Sequence, residues 1–240
     1  MPLLELDDVG GGYVAGIDIL NGIRLQVETG SITGVIGPNG AGKSTMLKTV
    51  FGFLHPHRGR ILFEGQAIET LAPHEVKRLG IGYVPQGSNI FPQLTVHENL
   101  ELGAWVFRGD RPRVTRMLER AYTAWPRLAQ KRRMRATSLS GGEAKMLSIA
   151  KEMVTDPRLL LVDEPSAGLS PKLSDQVYVE LLAARGHGVT ILLVDQNIAK
   201  AVEISDYLYM LEMGQVRRKG PREDFVEQLR DIIRDALLGV

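Results

Sequence analysis

Cysteine is absent from the 240 residues, which excludes disulfides, thiolate-bound zinc, iron–sulfur clusters and thiol catalysis, and is compatible with a reducing compartment. An excess of one charge is missing too: 29 Lys and Arg against 28 Asp and Glu leave a net +1, so no bulk positive field points to nucleic acid. Long hydrophobic runs are also lacking. The strongest, Val189 to Val194, is strand-sized, whereas a membrane helix needs about 18 apolar residues. Met1-Pro2-Leu3-Leu4-Glu5-Leu6-Asp7-Asp8 carries acid where a signal peptide needs a basic region before an apolar one, so a cytoplasmic location is expected. No repeat of 20 to 50 residues and no low-complexity tail is found. What the chain has in quantity is glycine, 26 in all, and a 44% hydrophobic content. At this length that content can bury roughly 70% of the unfolded surface without cross-links, as one large domain or two closely joined ones.

Periodicity organises the rest. Leu3 to Val9, Ile23 to Val27, Ile32 to Ile36 and Ile61 to Phe63 are short apolar or alternating runs between glycine-rich turns, and predict a small antiparallel layer leading into a buried strand. From Leu94 to about Gln130 apolar residues recur every three or four positions, a helical pattern that Pro126 ends or kinks. Leu159 to Val162 and Val189 to Val194 are continuous apolar runs of buried parallel strands, separated by a helix from about Ser174 to Ala184. A strand around Tyr207 to Leu211, a turn at Met213-Gly214-Gln215 and a helix from about Pro221 to Leu237 close the chain. The layout is a single α/β domain: a core of residues 1–86 and 158–240, interrupted by a mostly helical segment, 87–157.

Gly37-Pro38-Asn39-Gly40-Ala41-Gly42-Lys43-Ser44 matches G-x-x-x-x-G-K-[ST] between the strand Ile32 to Ile36 and a helix expected over Ser44 to Leu54. Glycines there let backbone N–H groups converge on phosphate oxygens. The helix amino terminus adds partial positive charge, Lys43 reaches the outer phosphates, and the Ser44 hydroxyl can ligate magnesium. Leu159-Leu160-Leu161-Val162-Asp163-Glu164-Pro165 delivers two acids at a strand's carboxyl end, beside where the cradle's own strand should end. Adjacent strand residues point opposite ways, which predicts different tasks: Asp163 holding magnesium, Glu164 orienting or deprotonating water. Gln86 and the run Asp195-Gln196-Asn197 follow two further strands, where amides can bridge metal, water and phosphate.

Leu139-Ser140-Gly141-Gly142-Glu143 opens an amphipathic helix. Ser140 and Glu143 form a capping box, but two glycines inside it weaken the helix start unless a ligand must approach the backbone. A second anion-binding helix terminus is implied, facing nucleotide held by another copy. The basic run Lys131-Arg132-Arg133-Met134-Arg135 reads as a solvated or partner-facing patch.

Taken in order, the cradle, Gln86, Leu139 to Glu143 and Leu161-Val162-Asp163-Glu164-Pro165 resemble the ATP-binding subunits of ABC transporters over essentially the whole chain. Tyr83-Val84-Pro85-Gln86-Gly87, Leu94-Thr95-Val96-His97-Glu98-Asn99-Leu100 and Ser166-Ala167-Gly168-Leu169-Ser170-Pro171 look most like the second ATPase subunit of branched-chain amino acid importers, whose relatives serve urea, amides and lipopolysaccharide. The resemblance implies a P-loop NTPase core of ABC type with an amino-terminal antiparallel β subdomain and a helical insert subdomain. It implies ATP contacts from Tyr13 on adenine, Gly37, Pro38, Asn39, Gly40, Ala41, Gly42, Lys43, Ser44, Thr45 and Gln86. Magnesium would be held by Ser44, Gln86 and Asp163, and catalysis would fall to Glu164, Lys43 and Gln196. Ser140, Gly141, Gly142 and Glu143 would act in trans, within a head-to-tail dimer with a second ATP-binding subunit. The further partners implied are two integral membrane permeases, whose coupling helix would enter a groove near Gln86 to Gln93, and indirectly a solute-binding protein; nucleic acid is not among them. The location implied is the cytoplasmic face of the membrane. Gln196 stands where many members have His, Ala144-Lys145 where a glutamine pair is commoner, and Ser170 where a dimer-contacting acid is usual. The alternatives are the ATPase of a related urea, amide or lipid ABC transporter and, further off, a soluble ABC-type mechanical ATPase, which has against it the near-zero charge and the want of a long coiled-coil insert.

Overall fold

The computed structural model describes residues 1–14 and 16–227. β1 (Leu4–Gly11) and β2 (Leu20–Val27) pair antiparallel, with Leu4 opposite Val27 and Leu6 opposite Leu25. β3 (Ile32–Ile36) is buried throughout and leads into α1 (Lys43–Val50). β4 (Arg58–Phe63) and β5 (Gln66–Ala67) complete a four-stranded antiparallel sheet in the order β2-β1-β4-β5. α2 (Pro73–Arg78) and β6 (Ile81–Val84) return the chain to the core. Then come α3 (Val96–Gly103), a 3-10 turn at Trp105–Phe107, α4 (Arg111–Ala124), α5 (Pro126–Gln130) and α6 (Gly141–Met153). β7 (Leu159–Asp163), α7 (Pro171–Gly186), β8 (Thr190–Val194), α8 (Ile198–Ile204), β9 (Tyr207–Glu212), β10 (Gln215–Pro221) and α9 (Arg222–Glu227) finish the described chain.

The second sheet runs β10-β9-β3-β8-β7-β6, parallel from β9 to β6, with β10 antiparallel at one edge. Its strands alternate their side chains between two cores, as the period of two requires. Leu159, Leu161 and Leu192 join Met46, Leu47 and Val50 of α1 and the inner face of the antiparallel sheet. Leu160, Val162, Ile191 and Leu193 pack against Val177 and Leu181 of α7. Between β6 and β7 the helices close over a third cluster, with Val96, Leu100, Leu118 and Leu147 at its centre.

Several elements depart from the sequence pattern. The helical stretch breaks into separate helices, and Pro126 begins α5 at its first turn, where a missing N–H costs nothing. The cradle helix ends at Val50 rather than Leu54, and α7 starts at Pro171 and runs to Gly186. β7 does not neighbour β3, because β8 lies between them. β10 occupies Gln215–Pro221, between the expected turn at Met213 to Gln215 and the expected helix from Pro221, where the sequence pattern gave no element. Of the expected helix Pro221 to Leu237, α9 covers Arg222–Glu227, and the remainder lies outside the described residues.

Candidate functional site

Register assembles the site. In the parallel sheet Val84 is level with Val162, Asp163 with Val194, and Val194 with Val35, so four strands end along one edge. The segments that follow carry Gln86, Glu164, Gln196 and the glycine-rich loop to that same edge. Open parallel sheets bind ligands there, beyond the carboxyl ends of their strands.

The loop from Gly37 to Gly42 is shaped by glycine. At Gly37 (φ 147°) a Cβ would stand 2.1 Å from the carbonyl oxygen of Leu211, and Gly42, at φ 98°, precedes the first residue of α1. No side chain caps α1, so its first N–H groups are left facing the loop. A cavity of about 240 Å³ lies there, lined by Ile19, Asn39 to Thr45 and Glu164. Lys43 is 4% exposed, and its ammonium donates to the carbonyls of Gly37 (2.8 Å) and Pro38 (3.0 Å). Burial lowers its pKa, while the charges of Glu164, Asp163 and Asp195 act the other way.

The two acids diverge in their partners. Asp163 Oδ1 accepts from the Ser44 hydroxyl at 2.8 Å, and Oδ2 accepts from the Tyr83 hydroxyl at 3.2 Å. Ser44 reaches it across β8 because α1 packs against β7. Glu164 Oε2 accepts from Gln86 Nε2 at 2.5 Å and from Gln196 Nε2 at 2.7 Å. Strand alternation is not what separates the acids: Asp163 is the last strand residue, and Glu164 turns out of the strand with φ at 44°. A non-glycine residue in that region is strained by about 1–3 kcal/mol, a cost met mostly at functional sites. Burial raises the pKa of both carboxyls, against the hydrogen bonds they receive.

The hydroxyl and carboxylate oxygens of Ser44 and Asp163 suit a hard cation that keeps most of its shell as water and phosphate, as magnesium does. Among the described residues no cluster of His, Cys, Asp and Glu forms an all-protein cage. Gln86 is directed at Glu164 rather than at this pair. Asn197 is not part of the site: its side chain caps α8, accepting from Lys200 N at 3.2 Å. Asp195, 1% exposed, accepts from the Tyr178 hydroxyl and Asn197 N, holding the turn that presents Gln196. Tyr178 gave no signal in the sequence, and Tyr83 entered only as the first residue of the run to Gly87 with no role of its own, since each is one apolar-compatible residue of a strand or helix.

Tyr13 is 53% exposed, with Lys48 Nζ on its hydroxyl at 3.1 Å, and lines no part of the cavity. Ser140 to Glu143 do not line it either. Their capping box is formed, Ser140 N donating to Glu143 Oε2 at 3.0 Å, and Lys131 Nζ pairs with Glu143 Oε1 at 2.5 Å. One of the two glycines has a packing reason: a Cβ on Gly142 would stand 2.4 Å from Leu173 Cδ2 of α7, whereas Gly141 faces open space. In the basic run, the carbonyls of Arg132 and Met134 accept from His97 N and Val96 N, docking it on the start of α3.

A phosphate cradle on a core of parallel strands, covered by an antiparallel sheet and interrupted by helices, defines an ATP-binding cassette. The family model described as "ABC transporter" matches residues 20–167, and the chain belongs to that family. It is 40% identical over 226 residues to the probable branched-chain amino acid transport ATP-binding protein LivF of Archaeoglobus fulgidus, covering 94% of each chain. It is 35% identical to the high-affinity branched-chain amino acid transport ATP-binding protein BraG of Pseudomonas aeruginosa, covering 99% of this chain and all of the relative. Among solved structures, an ATP-binding cassette of an ABC transporter in its ADP conformation superposes with a TM-score of 0.83 at 26% identity, covering 98% of each chain.

Proposed function

We propose that the chain is the ATP-hydrolysing subunit of an importer of branched-chain amino acids. The observation that carries the chemistry is the pair of acids: Asp163 on the Ser44 hydroxyl, and Glu164 held by two amides at the mouth of the cradle. ATP would bind through the backbone N–H groups of Gly37 to Thr45, with the Lys43 ammonium exchanging its carbonyl partners for phosphate oxygens. Ser44 and Asp163 would hold magnesium, which when bound neutralises phosphate charge. Glu164 takes the proton of the attacking water, and Gln86 and Gln196 fix the direction of its carboxylate. Gln196 donates an amide hydrogen and does not titrate near neutral pH, so proton transfer rests on Glu164. Tyr13, exposed and bonded through its hydroxyl to Lys48 of α1, would stack on the base.

Ser140 to Glu143 lie off this cavity, and their use is in trans, on nucleotide held by a second ATP-binding subunit. ATP closes that head-to-tail dimer and hydrolysis opens it, moving two membrane permeases that receive substrate from a solute-binding protein. Among the described residues no helix is long and apolar enough to cross a membrane, which agrees with attachment through the permeases at the cytoplasmic face. The choice of branched-chain amino acids rests on the two relatives named above.

Purification of the tagged chain from its native membranes in mild detergent tests the reading. Two multi-span permeases and a second ATPase are the expected companions; ribosomal or DNA-bound proteins without a membrane partner would overturn it. Lys43→Ala should abolish tight ATP binding in calorimetry, and unchanged affinity would count against the cradle.

A further inference from the structure

Helix α6 carries a buried polar row. Lys145, Ser148, Lys151 and Glu152 are 9%, 1%, 8% and 6% exposed; Ser148 follows Lys145 by three residues and precedes Lys151 and Glu152 by three and four, which places them on one side of the helix. Burying such groups is unfavourable unless each finds a partner. All four find one in the short loop that follows β6. Lys145 Nζ donates to the Pro85 carbonyl at 3.4 Å, Ser148 Oγ to Asn89 Oδ1 at 2.6 Å, and Lys151 Nζ to the Asn89 carbonyl. Glu152 Oε1 accepts from Asn89 Nδ2 at 2.9 Å, while its Oε2 takes Lys77 Nζ of α2 at 2.6 Å. Asn89 is thus held at its amide nitrogen, its amide oxygen and its backbone carbonyl.

Between these anchors stands Gln86, whose amide is 2.5 Å from Glu164 Oε2. Among the described residues no backbone-to-backbone hydrogen bond holds Gln86 to Asn89, so the loop takes its position from the side chains of α6. We propose that this face of α6 is a clasp that sets Gln86 against Glu164, with Asn89 as the positioning residue through which it acts. The inference rests on the reading of Glu164 as the group that activates water.

The experiment inverts the polarity of the clasp in the full-length chain. Asn89→Asp puts a carboxylate against Glu152 and removes the donor. Turnover at saturating ATP should fall about tenfold, short of the hundredfold that a displacement of about 1 Å can cost, with ATP affinity by calorimetry within about twofold of wild type. Adding Glu152→Gln returns an amide donor opposite that carboxylate and conserves the charge of the network, so turnover should recover to within about threefold. Ser148→Ala, which removes one hydroxyl and little volume, serves as a second probe and should lower turnover in the same direction. Unchanged turnover in Asn89→Asp and Ser148→Ala overturns the clasp. So does a loss shared with ATP affinity and thermal stability that Glu152→Gln fails to reverse. Glu164→Gln, assayed alongside, separates the two ideas. If it hydrolyses ATP at the wild-type rate, the functional reading itself fails; if it is inactive while Asn89→Asp is normal, only the clasp fails.

Discussion

Glu164 combines a left-handed backbone, burial and two amide donors on one carboxylate oxygen. A surface acid that merely ends a strand has no need of any of them. Glu164→Gln keeps the shape and an acceptor oxygen but cannot take a proton, so turnover should fall at least about a hundredfold while ATP affinity is retained. Single-turnover hydrolysis and calorimetry on the same preparation check both halves. The pH profile follows from the same environment. Burial raises the Glu164 pKa despite the hydrogen bond from Gln196 and the charge of Lys43. A base works only when unprotonated, so turnover should fall as pH drops through that raised value, at higher pH than an ordinary glutamate would give. The residual activity of Glu164→Gln should lack this acid limb. At this scale the sequence disclosed the two acids at the strand end, but not that they would have different partners, Ser44 and Tyr83 for Asp163 and two amides for Glu164, nor the turn that separates them. A left-handed turn after Asp163 has no signature in Val162-Asp163-Glu164-Pro165, because glycine is the usual marker of such backbone and none is there.

At the scale of elements, the start of α6 holds one packed glycine and one open one. Gly142 leaves room for Leu173 of α7, and Gly141 has no neighbour within 4 Å. Gly142→Ala should lower the melting temperature by the equivalent of about 1 kcal/mol, the low end of overpacking costs. Gly141→Ala should hold or raise it, since alanine favours a helix by up to about 1 kcal/mol. Yet Gly141→Ala should slow ATP turnover if its backbone meets nucleotide in a closed dimer. Differential scanning calorimetry with a steady-state assay separates the two glycines; equal melting temperatures would remove the distinction. Other elements show what a linear pattern misses. β10 is an edge strand whose Arg217, Arg218 and Lys219 outnumber its apolar side chains, so it carries no hydrophobic alternation strong enough to stand out. α2 and α8 span six and seven residues, too short for a helical period to register, though Asn197 as the cap of α8 is a usable start signal in retrospect.

On the scale of the whole molecule, one chain presents a nearly complete cradle and, elsewhere, a capped helix terminus with an open Gly141. Two copies, or this chain and a paralogue, would complete each site. Glu164→Gln with ATP and magnesium should therefore shift the chain from monomer to dimer in size exclusion with light scattering, and Ser140→Arg added to it should return the monomer by blocking the helix terminus. A monomer in both would count against the sandwich arrangement. The sequence by itself determined the cradle, the acid-ended strand, the Ser140 to Glu143 terminus and the absence of any run long enough for a membrane helix. These depend on local chemistry: glycine where backbone turns toward a ligand, an apolar run where a strand is buried, a capping pair where a helix begins. Tertiary structure decided which groups meet. Register across β6, β7, β8 and β3 put Gln86 and Gln196 on Glu164 and Tyr83 on Asp163. The packing of α6 against the loop after β6 joined Asn89 to Ser148 and Glu152. Those partners lie dozens of residues apart, and no local preference selects them, because their pairing is fixed only once the strands share one sheet and the helices settle on its faces.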